Sequence, residues 1–132
     1  MIKDCVLKTN QPTFFTEVKN ADGDVFATIK AKTRMDISEL EDRTMEKRFD
    51  KDGKFAPKTK MALYTIIRIR QALTGHEKCG WKLTEKGEPL PITEEVISVL
   101  PEKPFDYYSA LAKAIFEHDS KWDENKEGIS KN

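Results

Sequence analysis

An α+β domain, mainly helical, with an N-terminal β-hairpin packed on three to four helices, is predicted by three observations. Residues 13–33 hold two runs rich in Phe, Val, Ile and Thr, the second of which alternates with a period of two. Two stretches further on, within 57–74 and 104–119, repeat apolar residues at helical spacing. The chain has 132 residues, enough for one hydrophobic core but not two.

The hairpin comes first. In VFATIKAKT, residues Val25, Ala27, Ile29 and Ala31 alternate with Phe26, Thr28, Lys30 and Lys32. The small aliphatics thus share one face, and the lysines mostly face the other way. Asn20-Ala21-Asp22-Gly23-Asp24 turns the chain between the two runs, since Asn and Gly accept positive φ. A lone hairpin is marginal in water, so this one must lie on helices or gain another strand.

Four helices follow. The first is predicted over about 36–48, with Asp36 as cap and Glu39 completing a capping-box-like pair. Only Ile37, Leu40 and Met45 offer apolar surface, so it lies on the outside. The second, about 57–74, is expected to be central. Pro57 suits a first helical turn and Gly75 suits the position after the last. Ala62, Leu63, Ile66, Ile67, Ile69 and Leu73 fall on one arc of about 160°. Arg70 lies inside that arc and must be paired or reach an edge, because a lone buried charge is costly. Its partner is either an acidic group within the domain or one across an interface.

Residues 81–92 read as a loop or small hairpin turned at Gly87, with Pro89 and Pro91 holding an extended path. Thr93 caps a short helix over about 93–100 that stops before Pro101. Pro104 opens the last helix, about 104–119, on which Phe105, Tyr108, Leu111, Ala112, Ile115 and Phe116 share a face. The expected single domain covers 1–120, and the polar residues 121–132 read as a flexible tail.

Composition narrows the function classes. Charged residues make up 35% and mean hydropathy is −0.65, so the exterior is well hydrated. An apolar fraction of 38% is low for a globular domain, as if part of the chain is tail or a partner completes part of the surface. No apolar run approaches the ~18 residues of a membrane span, and the opening residues are not expected to act as a secretory signal. Cys5 and Cys79 are too few and too distant for a disulfide framework, which fits free thiols in a reducing cytoplasm. Net charge is zero, yet residues 1–75 hold 15 Lys/Arg against 11 Asp/Glu, and residues 76–132 hold 8 against 12.

Chemistry finds little support. His76 and Cys79 have a ligand-like spacing, but a structural zinc site needs about four ligands. The acidic turns 20–24 and 50–53 lack the Gly and Glu positions of a calcium loop. No nucleophile elbow, zincin motif or phosphate-cradling loop is present. An enzyme is therefore not expected, nor is a cofactor or metal. From Lys47 to Arg70 there are eight Lys/Arg and two Asp, with Phe49, Phe55 and Tyr64 interleaved. A small regulatory or adaptor protein that binds nucleic acid there, through Lys58, Lys60 and Arg68, is the alternative. The neutral chain and a pI near 6.7 argue against it.

The remaining signal is an ordered series: the helix MALYTIIRIRQALTG, Trp81 and Leu83, then Gly87-Glu88-Pro89-Leu90-Pro91, Thr93, EEVISVLP and a final amphipathic helix. In that order, over residues 61–116, the chain resembles the tail assembly chaperones of long-tailed bacteriophages or prophages. The resemblance implies a non-enzymatic protein of the host cytoplasm that is absent from the mature virion. It implies binding to the tape-measure protein, recruitment of tail-tube subunits and self-association. Binding amphipathic helices needs an apolar groove. The candidate contact residues are Trp81, Leu83, Leu90 and Ile92, with Arg70 beside them; Trp81 is either a core residue or part of the grip.

Overall fold

A computed structural model of the protein describes residues 14–46, 49, 51–54 and 58–130, with side chains as far as Asp123. Thr13, Pro57, Cys5 and Phe55, used in the sequence reading, lie outside the described residues. The architecture is α+β: four helices and a small sheet built from short strands near the N-terminus.

Strands β1 (Phe15–Lys19) and β2 (Val25–Lys30) form the expected antiparallel hairpin, with Thr16 opposite Ile29 and Val18 opposite Ala27. Asn20 shapes the turn, its side-chain oxygen accepting from the N–H groups of Asp22 and Asp24 at 2.9 and 3.0 Å. The partner strand that a lone hairpin needs is supplied from far along the chain. Gly80–Trp81 pairs antiparallel with β2, placing Trp81 opposite Ala27. β2 is thus the middle strand, and its burial departs from simple alternation. Ala27, Ile29 and Ala31 are buried as expected, but so are Phe26 and Lys30. Phe26 meets the edges of Phe105 and Tyr107, and the Lys30 ammonium lies 2.7 Å from Asp36.

Helix α1 spans Arg34–Thr44 rather than 36–48. Its cap is Thr33, three residues before the predicted one. The Thr33 hydroxyl oxygen accepts from the Asp36 N–H at 3.2 Å, and the Asp36 carboxylate accepts from the Thr33 N–H at 2.9 Å. The capping box is real, with Asp36 as its far member instead of its first. After α1, β3 (Met45–Glu46) pairs with β4 (Lys58–Thr59), so the residues preceding the second helix are extended.

Helix α2 therefore begins later than expected, spanning Met61–Leu73. It ends as predicted: Thr74 caps it and Gly75 follows with φ +89, a backbone conformation that suits glycine. α2 packs against β2, α1 and both later helices. Being surrounded, it buries more than one arc. Ile67, Ile69, Ala72 and Leu73 are buried, and so are Arg68 and Gln71, whereas Ala62 at its outer end is exposed.

β5 (Gly80–Trp81) is followed by the two-stranded β6 (Thr84–Glu85) and β7 (Glu88–Pro89). Their two-residue turn, Lys86-Gly87, has φ +53 and +83, the pattern of a type I′ hairpin. Helix α3 covers Glu94–Ser98, capped by Thr93 as expected, whose hydroxyl accepts from the Val96 N–H at 3.2 Å. Helix α4 runs Tyr107–Ser130. Its cap is Asp106, not Pro104: the Asp106 carboxylate accepts from the Ser109 N–H at 3.0 Å and its hydroxyl at 2.7 Å.

α4 also corrects the expected tail from 121 onward. The helix continues because its inner face has partners there. Leu111, Ile115, His118 and Asp119 are buried; Trp122 stacks on His118 and meets the edge of Phe14. Asp123 pairs with Lys32 at 3.2 Å. Phe116, predicted on the inner face, is 36% exposed and stacks on Tyr64. Among the described residues, no helix is long and apolar enough to cross a membrane.

Candidate functional site: an apolar cleft on the 81–101 segment

The segment from Trp81 to Pro101 folds back on itself. The Leu90 N–H donates to the Leu83 carbonyl at 2.9 Å, closing the hairpin, and the Trp81 indole N–H donates to the Leu90 carbonyl at 2.8 Å. Leu83 is buried in the core. Trp81, Leu90 and Ile92 are half-buried and packed against it. Four of the five predicted contact residues thus come together, mostly as the footing of a surface.

The surface is a cleft of about 460 Å³ between this hairpin and α3, lined by Thr84, Glu85, Leu90, Val96, Val99 and Leu100, with Pro101 at its end. Val99 is 76% exposed, unusual for a β-branched aliphatic. Sequence reasoning missed Val96, Val99 and Leu100 as lining. Their run, VISVLP, reads only as a short apolar helix, and nothing in it separates Ile97, fully buried, from Val99.

Arg70 does not line the cleft. Its guanidinium donates to Glu39 on α1 at 2.5 Å and to Glu94 on α3 at 3.0 Å. Arg43 donates twice to Glu94, at 2.7 and 2.8 Å, and once to Glu39 at 3.3 Å. The Gln71 amide donates to Glu39 at 3.0 Å. Of the two partners left open for Arg70, the internal one is present. The network ties the first residue of α3 to α1 and α2, which fixes the helix that carries Val96 and ends at Val99.

The charges follow from these contacts. Hydrogen bonds from Gln71, then Arg70 and Arg43, hold the Glu39 carboxyl below its ordinary range against the opposing effect of burial. Arg43 chiefly, then Arg70, does the same for Glu94. Arg43 is in turn held more firmly protonated, mainly by its hydrogen bonds to Glu94. These are settled structural charges.

The fully buried arginine is Arg68, whose guanidinium donates to Asp119 at 2.9 Å twice and to the Lys30 carbonyl at 3.1 Å. It therefore cannot reach a phosphate, as the nucleic-acid alternative requires, although Lys58 and Lys60 are exposed. His76 accepts the Lys78 N–H and Cys79 carries a free thiol directed at the His76 carbonyl. Among the described residues, no three His, Cys, Asp or Glu side chains converge as metal ligands would. A second, smaller cleft of about 170 Å³ lies between α1 and α2, lined by Ile37, Leu40, Met45, Thr59 and Tyr64 with Lys32 at its edge.

Comparison with protein-family models, with curated proteins and with solved structures finds no match for this chain.

Proposed function

We propose that the chain is a non-enzymatic tail assembly chaperone of a long-tailed bacteriophage or prophage. It binds the tape-measure protein in the host cytoplasm, helps recruit tail-tube subunits, and is left out of the finished virion. The reading rests on the ordered resemblance over residues 61–116. The single structural observation that supports it is the cleft beside Val99. An exposed apolar recess on a braced scaffold suits the apolar ridge of an amphipathic helix.

Co-expression with the tape-measure protein is the test. That protein is expected to be soluble and to co-purify with this chain. Equal solubility of the tape measure in the absence of the chain would sink the reading.

A further inference from the structure

The cleft between β6–β7 and α3 has an uneven electrostatic lip. Glu85 lines it and stands directly opposite Glu88 across the two-residue hairpin. Glu95, on α3, sits four residues before Val99, the C-cap of that helix. All three carboxylates are exposed, and among the described residues none is ion-paired, in contrast to Glu94, which Arg43 and Arg70 neutralise. Lys86 is the one cation in residues 84–101. Like charges facing each other across a hairpin disfavour the free fold. Cations brought by a partner relieve that repulsion.

From this charge and shape we infer that the cleft takes a helical segment of a partner protein. The segment presents an aliphatic or aromatic side chain to Leu90, Val96 and Val99, with Lys or Arg one turn to either side to meet Glu85, Glu88 and Glu95. It rests on the tape-measure reading for the identity of the partner, but not for its chemistry. Helix-in-groove recognition supplies the apolar anchor, and charge complementarity supplies the choice between helices of equal hydrophobicity.

The test uses the full chain and two designed helical peptides with the same leucine ridge, one flanked by lysines and the other by glutamates. Fluorescence anisotropy at low salt is expected to show the lysine peptide binding at least tenfold more tightly, a preference that shrinks as salt rises. E85K/E88K is expected to reverse the preference. Val99→Gln, at an exposed and uncharged position, is expected to weaken both peptides. Equal binding of the two peptides, a preference that survives E85K/E88K, or binding untouched by V99Q would each overturn the inference.

Co-expression separates it from the wider reading. If the tape measure needs this chain for solubility but tolerates both E85K/E88K and V99Q, the cleft is not the binding surface while the chaperone reading stands. If the tape measure is soluble alone and the lysine peptide still binds selectively, the cleft stands and the chaperone reading falls.

Discussion

Arg68 on α2 and Asp119 on α4, 51 residues apart, form a two-pronged ion pair with both N···O distances at 2.9 Å, and the arginine side chain is fully buried. A third hydrogen bond, to the Lys30 carbonyl, joins the pair to β2. Removing one partner leaves an unpaired charge inside the protein. Arg68→Ala or Asp119→Ala is therefore expected to destabilise the fold by about 3–5 kcal/mol in urea unfolding. The joint apolar replacement R68M/D119L is expected to cost far less than either single change. A double variant as unstable as the sum of the singles would show that the two side chains act independently and that an unpaired buried charge is not what the single changes expose.

That pair also marks where sequence reasoning stopped. The hairpin, the helix order, the Thr93 and Gly75 caps and the Gly87 turn were all legible, because each depends on local periodicity or turn chemistry. Arg70 stood out because an arc drawn at 100° per residue places it among apolar neighbours. Arg68, the buried arginine, falls outside that arc, so periodicity alone does not mark it as a core residue. A single-arc reading assumes one covered face, whereas α2 is enclosed by β2 and three helices. Asp119 ends the predicted helix and Trp122 falls in the predicted tail, with nothing local to mark them, because their partners, Arg68 and Phe14, are distant in sequence. The footing of the cleft was legible in Trp81, Leu83 and Leu90, but its exposed wall at Val99 depends on how α3 is tied down.

Stability should rise with pH across the acidic range. Glu39 and Glu94 have native carboxyl pKa values held below the ordinary 4.5. Asp36 lies below its ordinary 3.8, where burial opposes the charge but hydrogen bonds from Lys30 and the Thr33 N–H prevail. The unfolded chain binds protons at these sites more readily than the folded one. Their contribution is therefore complete above the ordinary values and is lost as pH falls through the depressed native ones. Urea midpoints measured between about pH 3 and pH 7 should fall steeply below about pH 4.5, and Arg70→Met should flatten that fall. A midpoint independent of pH in that window would contradict the network.

Lys86 occupies the left-handed region at φ +53 in the type I′ turn, a conformation that disfavours most side chains and suits asparagine. Lys86→Asn should stabilise the chain by a fraction of about 1 kcal/mol, read as a higher melting temperature. It also removes the one cation in residues 84–101. The same variant should therefore bind the lysine-flanked peptide somewhat more tightly, whereas an unchanged melting temperature would mean that the turn is not limiting.

Whether Trp81 belongs to the core or to the grip can be decided by comparing it with Val99. The indole is half-buried, packs on the core and spends its only donor on the carbonyl of Leu90, a residue that lines the cleft, at 2.8 Å. Its position is that of a strut. Trp81→Phe keeps most of the apolar ring and loses that hydrogen bond, so it should lower stability by about 1 kcal/mol. Trp81→Ala should cost about 3 kcal/mol, the low end for a large aromatic because the ring is only partly buried. With Trp122→Phe as background, Trp81 emission reports the site alone. Adding the lysine-flanked peptide should leave the accessibility of that ring to acrylamide nearly unchanged. W81F should bind the peptide as the parent chain does, while V99Q loses affinity. The opposite pattern, with strong quenching protection at Trp81 and binding lost in W81F but kept in V99Q, would move the contact surface from the α3 wall to the indole itself.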